Sequence, residues 1–312
     1  MIKPYLDYDQ QIEKLTDDKH LIISNPTYAK GMLTNIGYFS LVGGYKNLFT
    51  NPMTRKYDTP TTFEDIVALY EFDKGLRHVT FSFLIDIEQK LRQLISDSFC
   101  SHFGEMQQQY LDRANYNPSP RMTSEIDRLI DMLDYHANRN TEKPYLVHQR
   151  TTYHNVPLWV TTKILTFGQL SKFYSVLQFR QQSDISKSYE HVTERNLGRY
   201  LSLLTLFRNT CAHNERLFSL RISQREFPDT PLHRKLCIPR RGTQYLMGKN
   251  DYFGLVIAFR YLLPKEDFII YKRELKKLIS SYFKKSSRLS REQLLHEMGM
   301  PDNWERITRY RL

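Results

Sequence analysis

FEDIVALYEFDKGLRHVTFSFLIDIEQKLRQLISDSF, residues 63–99, decides the fold class. Leu69, Phe72, Leu76, Phe83, Ile87 and Leu94 recur at three- and four-residue spacing, so the stretch predicts one long amphipathic helix from Thr62. A second stripe is less ordinary. At about 100° per residue, Asp73, Arg77, Glu88 and Arg92 share a face with Phe81 and Leu84. Charges set among large apolar groups suggest a partly buried seam in which each charge needs a partner. The alternative is i,i+4 pairing on a wet surface, Asp73 with Arg77 and Glu88 with Arg92, worth tenths of a kcal/mol per pair.

Helical periodicity continues on both sides, with no fixed repeat. Residues 9–21 and 26–36 read as helices, NIGYFSLVGGYKNLF (35–49) as a compact turn-rich unit and NPMTRKYDTPT (51–61) as a loop. Residues 123–139 read as an amphipathic helix. Another begins near Pro157, carries Trp159, Ile164, Leu165, Leu170, Phe173 and Leu177, and is interrupted at Gly168. The next starts at about Thr193, a hydroxyl cap ahead of Glu194. A proline-bearing loop from Phe227 to Arg241 leads to helices at 249–263, 265–285 and 290–298. The last opens on a capping box, Ser290 to Gln293, and stops at Gly299 and Pro301. Strand signals are weak. The expectation is an all-α protein in three regions: 1–60, a helical body over 61–226, and a helical end over 227–312.

Forty per cent hydrophobic residues in a chain of 312 suit a globular protein. A mean hydropathy of −0.55 and the lack of an apolar run near the roughly twenty residues that span a bilayer argue against a membrane protein. The opening MIKPYLDYDQQ has no basic-then-apolar signal, so a cytoplasmic location is expected. The cysteines, at 100, 211 and 237, lack zinc-site or disulfide spacing. Cys100 with His102, or Cys211 with His213, would be only half a metal site, so neither metal nor cofactor is expected. Charge is unevenly placed: of the net +11, residues 232–312 carry 18 Lys and Arg against 8 Asp and Glu. Such an excess suits a polyanion, either nucleic acid or an anionic membrane surface, or else is a solvated helical surface. Lys276, Lys277, Lys284 and Lys285 are the candidate RNA-binding residues there.

Two R-x4-H spacings occur, Arg208 to His213 and Arg291 to His296; roughly one is expected by chance. The capping box explains the second as a surface helix. In the first, Arg208 projects into the apolar stripe of Leu197, Leu201 and Leu204, where an unpaired guanidinium is costly. His213 lies about 140° around that helix from Arg208, whereas Asn209 and His213 share a face. A common site therefore requires a helix break near 211–214, the reach of the arginine, or a second copy of the motif from a partner subunit. A buried structural arginine beside an unrelated surface histidine is the competing account.

Arg208-Asn209 followed by His213 resembles the R-N-x3-H form of the HEPN superfamily motif. The wider series is similar to the AbiD/AbiF-type abortive-infection family: Asn35-Ile-Gly-Tyr-Phe39 with Gly44-Tyr45; Tyr70 to Arg77, then Ile87-Glu88 and Leu91-Arg92; Pro157-Leu-Trp159 with Leu165-Thr-Phe-Gly168; and Arg208 to Leu217. It covers roughly residues 3–225 and departs at Phe39-Ser40, where the family tends to have Tyr-Arg. The resemblance implies a HEPN-like helical bundle and a ribonuclease toxin of bacterial or phage-related origin that cuts RNA during phage infection. It also implies cleavage without metal, by two motifs brought together across a homodimer. His213 would then move the proton of the 2′-OH or of the leaving 5′-oxygen, Arg208 would hold the phosphate and Asn209 would orient one of them. Arg77, Glu88 and Arg92 become a second layer behind the site or a wall facing RNA.

The competing function is a non-catalytic RNA-binding scaffold whose basic end holds a structured small RNA. Some relatives are paired with a small RNA encoded nearby, so the expected partners are an RNA substrate, a cognate small non-coding RNA antitoxin and a second copy of the chain. Attachment to a membrane surface through the basic helices is a third, weaker possibility.

Overall fold

The computed structural model describes residues 4–312; the first three residues of the expected N-terminal region lie outside the described residues. Helices α1 (Tyr8–Glu13) and α2 (Pro26–Ile36) precede turns that lead to α3 (Phe63–Phe103). The Thr62 hydroxyl accepts the Asp65 N–H, and the Asp65 carboxylate accepts the Thr62 N–H, starting α3 on a capping box. Its 41 residues make a rod about 60 Å long. The middle of the chain forms α4 (Gln107–Leu111), α5 (Thr123–Asp134), α6 (Pro144–Tyr153), α7 (Leu158–Thr161), α8 (Phe167–Val176), α9 (Phe179–Ser186) and α10 (Glu194–Ala212). After α11 (Pro231–Lys235), the two-residue strands β1 (Arg240–Arg241) and β2 (Gln244–Tyr245) pair antiparallel. Helices α12 (Tyr252–Leu262), α13 (Lys265–Lys285) and α14 (Arg291–Glu297) follow. The protein is all-α.

Two details differ from the sequence expectation. The helix that begins after Pro157 breaks at 162–166, not at Gly168, because Thr166 and Gln169 form a capping box that starts α8 anew. Gly168 serves packing instead: a Cβ there would lie 3.2 Å from Thr205 on α10. The stretch 227–241 also contains α11, and α4, α6 and α9 were not anticipated. All four have ten residues or fewer, a length at which packing rather than propensity decides helicity.

Helix α3 is the spine. Helices α10, α9, α8 and α7 pack against it, as does α13. The run of contacts makes α13 antiparallel to α3: Ser286 donates to Asp65 at 2.6 Å, Tyr282 packs on Phe72 and Tyr271 on Phe83. Gly75 lets the two helices close, since a Cβ there would meet Leu278 at 2.7 Å. One continuous cluster of buried side chains runs from Leu15 to Ile307, so all three regions share it. Among the described residues no helix is long and apolar enough to cross a membrane.

Candidate active site

Helix α10 carries Arg208 and Asn209 on its last two turns and buries Leu197, Tyr200, Leu201, Leu204 and Phe207 against the core. It ends at Ala212, with His213 as the capping residue. Asn214 takes the left-handed conformation (φ +59°). The Asn214 N–H donates to the Cys211 carbonyl at 3.3 Å and the Glu215 N–H to the Thr210 carbonyl at 3.0 Å. This is a Schellman ending with asparagine in the position that glycine usually takes. A break near 211–214, one of the three ways to a common site, is therefore present, and it turns the chain immediately after His213.

Arg208 finds its receptor on α3. Its Nε lies 3.9 Å from Glu88 Oε2, and its guanidinium sits 5.7 Å from the centre of the Phe81 ring. Glu88 also accepts Arg92 Nη2 at 2.8 Å. Arg92 in turn donates to the Thr162 carbonyl at 2.9 Å and the Leu165 carbonyl at 3.2 Å, fastening the break between α7 and α8. The Arg208 side chain is 28 % exposed, and its buried Nε has no hydrogen-bond partner. Glu88 thus stands between two guanidinium groups, one bonded and one only near.

One cluster further along the same stripe is closed. Asp73 is fully buried and Arg77 is 1 % exposed. Asp73 accepts Arg77 Nη1 at 2.6 Å, the Tyr45 hydroxyl at 2.6 Å, and the backbone N–H groups of Leu217 and Phe218 at 3.1 and 2.7 Å. Arg77 also donates to the Glu215 carbonyl at 3.3 Å. Burial and the Asp73 charge hold the Tyr45 phenol well above its ordinary range. Arg216 donates to the Gly44 carbonyl at 2.5 Å. The knot clamps residues 215–218, directly after the motif, onto α3 and the N-terminal turns. The stripe is a partly buried seam built from i,i+4 pairs, and Arg77 is shut off from solvent, so it is no part of a wall facing RNA.

Asn209 and His213 are exposed and line a cleft of about 460 Å³ with Leu206, Glu215, Arg221 and Arg225. Arg208 is not among its lining residues. A single chain therefore brings Asn209 and His213 to one cleft and leaves Arg208 on the side facing α3. Neither Cys100 with His102 nor Cys211 with His213 belongs to a group of three potential ligands among the described residues. Burial pushes the Cys100 and Cys211 thiols up to about 11 and about 12, and His102 pairs with Asp184 at 2.8 Å.

The second R-x4-H spacing lies on a surface helix: Arg291 pairs with Glu305 at 3.1 Å, and His296 is exposed. Of the four lysines, Lys276 pairs with Glu305 at 2.7 Å and Lys277 with Glu274 at 2.9 Å. Lys284 and Lys285 are exposed at the end of α13. Sequence reasoning named Tyr45 and Leu165 without their contacts to Asp73 and Arg92, and missed the Thr162 carbonyl and the second wall of the cleft, residues 220–225. Arg216, Arg221 and Arg225, close together in a stretch without periodicity, were the available signal.

The segments that carried the family resemblance are far apart in sequence and meet here. Gly44 and Tyr45 touch Arg216 and Asp73, Glu88 and Arg92 touch Arg208 and Leu165, and Gly168 lies against Thr205. Residues 31–219 match the family model described as Abi-like protein. No curated protein and no solved structure matches the chain. With well over half its length matched, and with the matched segments packed around the end of α10, the chain belongs to the Abi-like protein family.

Proposed function

We propose that the protein is a metal-independent HEPN-type endoribonuclease acting in abortive infection, with a site completed by two copies of the chain. Membership of the Abi-like family supports a part in abortive infection; the nuclease step is our own. One observation carries it. One residue before Asn209 of the cleft, Arg208 is held near Glu88 with its side chain 28 % exposed and a buried Nε that lacks a partner. A guanidinium with bonding capacity to spare and, on another side of the same helix, an exposed imidazole suit a phosphate and a proton transfer. The 2′-oxygen would attack the adjacent phosphorus as its proton leaves. The bond from phosphorus to the 5′-oxygen would break, leaving a 2′,3′-cyclic phosphate and a 5′-hydroxyl. His213 would carry the proton away from the 2′-OH or deliver one to the leaving oxygen, Arg208 would stabilise the extra phosphate charge, and Asn209 would orient the imidazole or the substrate. Because Arg208 and His213 of one chain serve different sides of α10, the pair would be completed across a two-fold axis.

Cleavage of RNA by the wild type, His213→Ala and Arg208→Ala tests the mechanism. Each variant should lose at least about 10²-fold, Arg291→Ala and His296→Ala should lose nothing, and EDTA should leave the activity intact. Light scattering should show a dimer at micromolar concentration. Growth inhibition that is equal for wild type and His213→Ala would sink the nuclease. It would favour the second reading, a non-catalytic scaffold for a small RNA, to which the turn of Arg208 toward Glu88 and away from the cleft lends support.

A further inference from the structure

The cleft at His213 does not end there. A second hollow of about 270 Å³, lined by Arg199, Ser202, Leu203, Gln224, Arg225 and Glu226, shares Gln224 and Arg225 with the first. The two make one groove. Its floor is a single face of α10, positions 199, 202, 206, 209 and 213, which recur at three- and four-residue spacing. Its opposite wall is the strap of residues 220–226. From Arg199 to His213 the floor runs about 21 Å at 1.5 Å per residue. The strap is fastened rather than loose: the Ile222 N–H donates to the Asn250 carbonyl at 2.8 Å and the Phe227 N–H to the Lys249 carbonyl at 2.6 Å.

Three arginines stand along this groove, and each is tied down by neutral acceptors. Arg199 donates to the Glu226 carbonyl at 2.9 Å. Arg221 donates to the Glu297 carbonyl at 2.9 Å and the His296 carbonyl at 3.3 Å, at the end of α14. Arg225 donates to the Ser202 hydroxyl at 3.0 Å. Carbonyls and hydroxyls orient a guanidinium without cancelling its charge, and each of these has N–H groups to spare. The contrast with α13 is direct, where Lys276 and Lys277 each face a glutamate. The groove's own acidic side chains are Glu215 and Glu226.

We infer that this groove is the seat of a single RNA strand, with Arg199 and Arg225 as phosphate-holding residues that lead the chain to His213. This rests on the nuclease proposed above and adds to it the path of the substrate. Volumes of a few hundred Å³ are those of small-ligand sites, fitting a nucleotide or two in each hollow and excluding a duplex. The strap lies beyond residue 219, outside the residues that match the family, whereas the floor with Arg199 lies within them.

The test measures binding of an unstructured uridine oligonucleotide of about twelve nucleotides, within the range of single-strand site sizes. The full-length protein carries His213→Ala so that the probe survives. Adding Arg199→Gln with Arg225→Gln should weaken binding at least about tenfold and flatten the plot of log affinity against log salt by about 1.4, or 0.7 for each lost contact. Arg199→Lys with Arg225→Lys keeps both charges and should keep most of that slope. If the lysine pair fails as fully as the glutamine pair, the arginines only fasten the strap and the track is overturned. Unchanged affinity and slope in the glutamine pair overturn it as well, even where the wild type cleaves RNA and His213→Ala does not. Conversely, a wild type that cuts no RNA but binds the probe in an Arg199- and Arg225-dependent manner removes the nuclease and leaves the track standing.

Discussion

Two carboxylate–arginine pairs occupy the same stripe of α3 at the same spacing, and they do different work. Asp73 and Arg77 are sealed among Tyr45 and the backbone of residues 215–218. Glu88 and Arg92 remain 15 % and 21 % exposed, and Glu88 keeps one oxygen near Arg208 without a bond. A buried pair shut off from solvent holds the structure together, even with Arg77 Nη2 left without a partner, and removing one member leaves an uncompensated ion. A carboxylate at the edge of the core can hold an arginine in place and still let it meet something else. The i,i+4 rule is the same in both; the surroundings decide whether the pair becomes a lock or a positioning device.

The largest effect should come from the lock. Asp73→Ala strands the Arg77 guanidinium and two backbone N–H groups, and should cost about 3–5 kcal/mol in chemical denaturation. A loss below about 1 kcal/mol would erase the distinction between the pairs.

A third buried carboxylate sharpens the comparison because no guanidinium is bonded to it. Asp251 caps α12, accepting the Gly248 and Gly254 N–H groups at 2.9 and 3.0 Å, and burial pushes its carboxyl up to about 6. Its folded pKa lies above the unfolded value near 3.9, so its contribution to stability is full below about pH 4 and is lost as pH rises through about 6. Stability measured against Asp251→Asn should therefore fall by roughly 2–3 kcal/mol over that window. A difference that is flat with pH would show that the two N–H groups offset the burial.

Glu88→Gln should cost only about 1 kcal/mol, since the pair is partly solvated and Arg92 keeps its two carbonyls. Cleavage should nevertheless fall roughly tenfold or more, because Arg208 loses the charge that positions it. An unchanged rate would make Glu88 a structural residue like Asp73. The smallest effect on stability belongs to α13: neutralising Lys276, Lys277, Lys284 and Lys285 together should change it by no more than about 0.5 kcal/mol. If that variant nonetheless flattens the salt dependence of RNA binding more than the paired Arg199 and Arg225 glutamine substitutions, RNA capture lies in the basic end rather than along α10.

Much of this molecule could be read from neighbouring residues. The three-and-four spacing from Leu69 to Leu94, the Thr193 and Ser290 caps and the stop at Gly299 are local signals, and local signals set helices. The charged stripe and the misfit of Arg208 were also visible, because a period places residues on a face and a face implies burial. Sequence could say that Arg208 needed a receptor but not that Glu88, 120 positions earlier, would be it. Nor could it show Asp73 reaching across 145 positions to the Phe218 N–H, or residues 220–226 closing a groove over Asn209 and His213. Periodicity fixes an angle about one helix axis. Which charge meets which is decided when helices pack, because burial leaves an ion stable only where distant donors and acceptors arrive together.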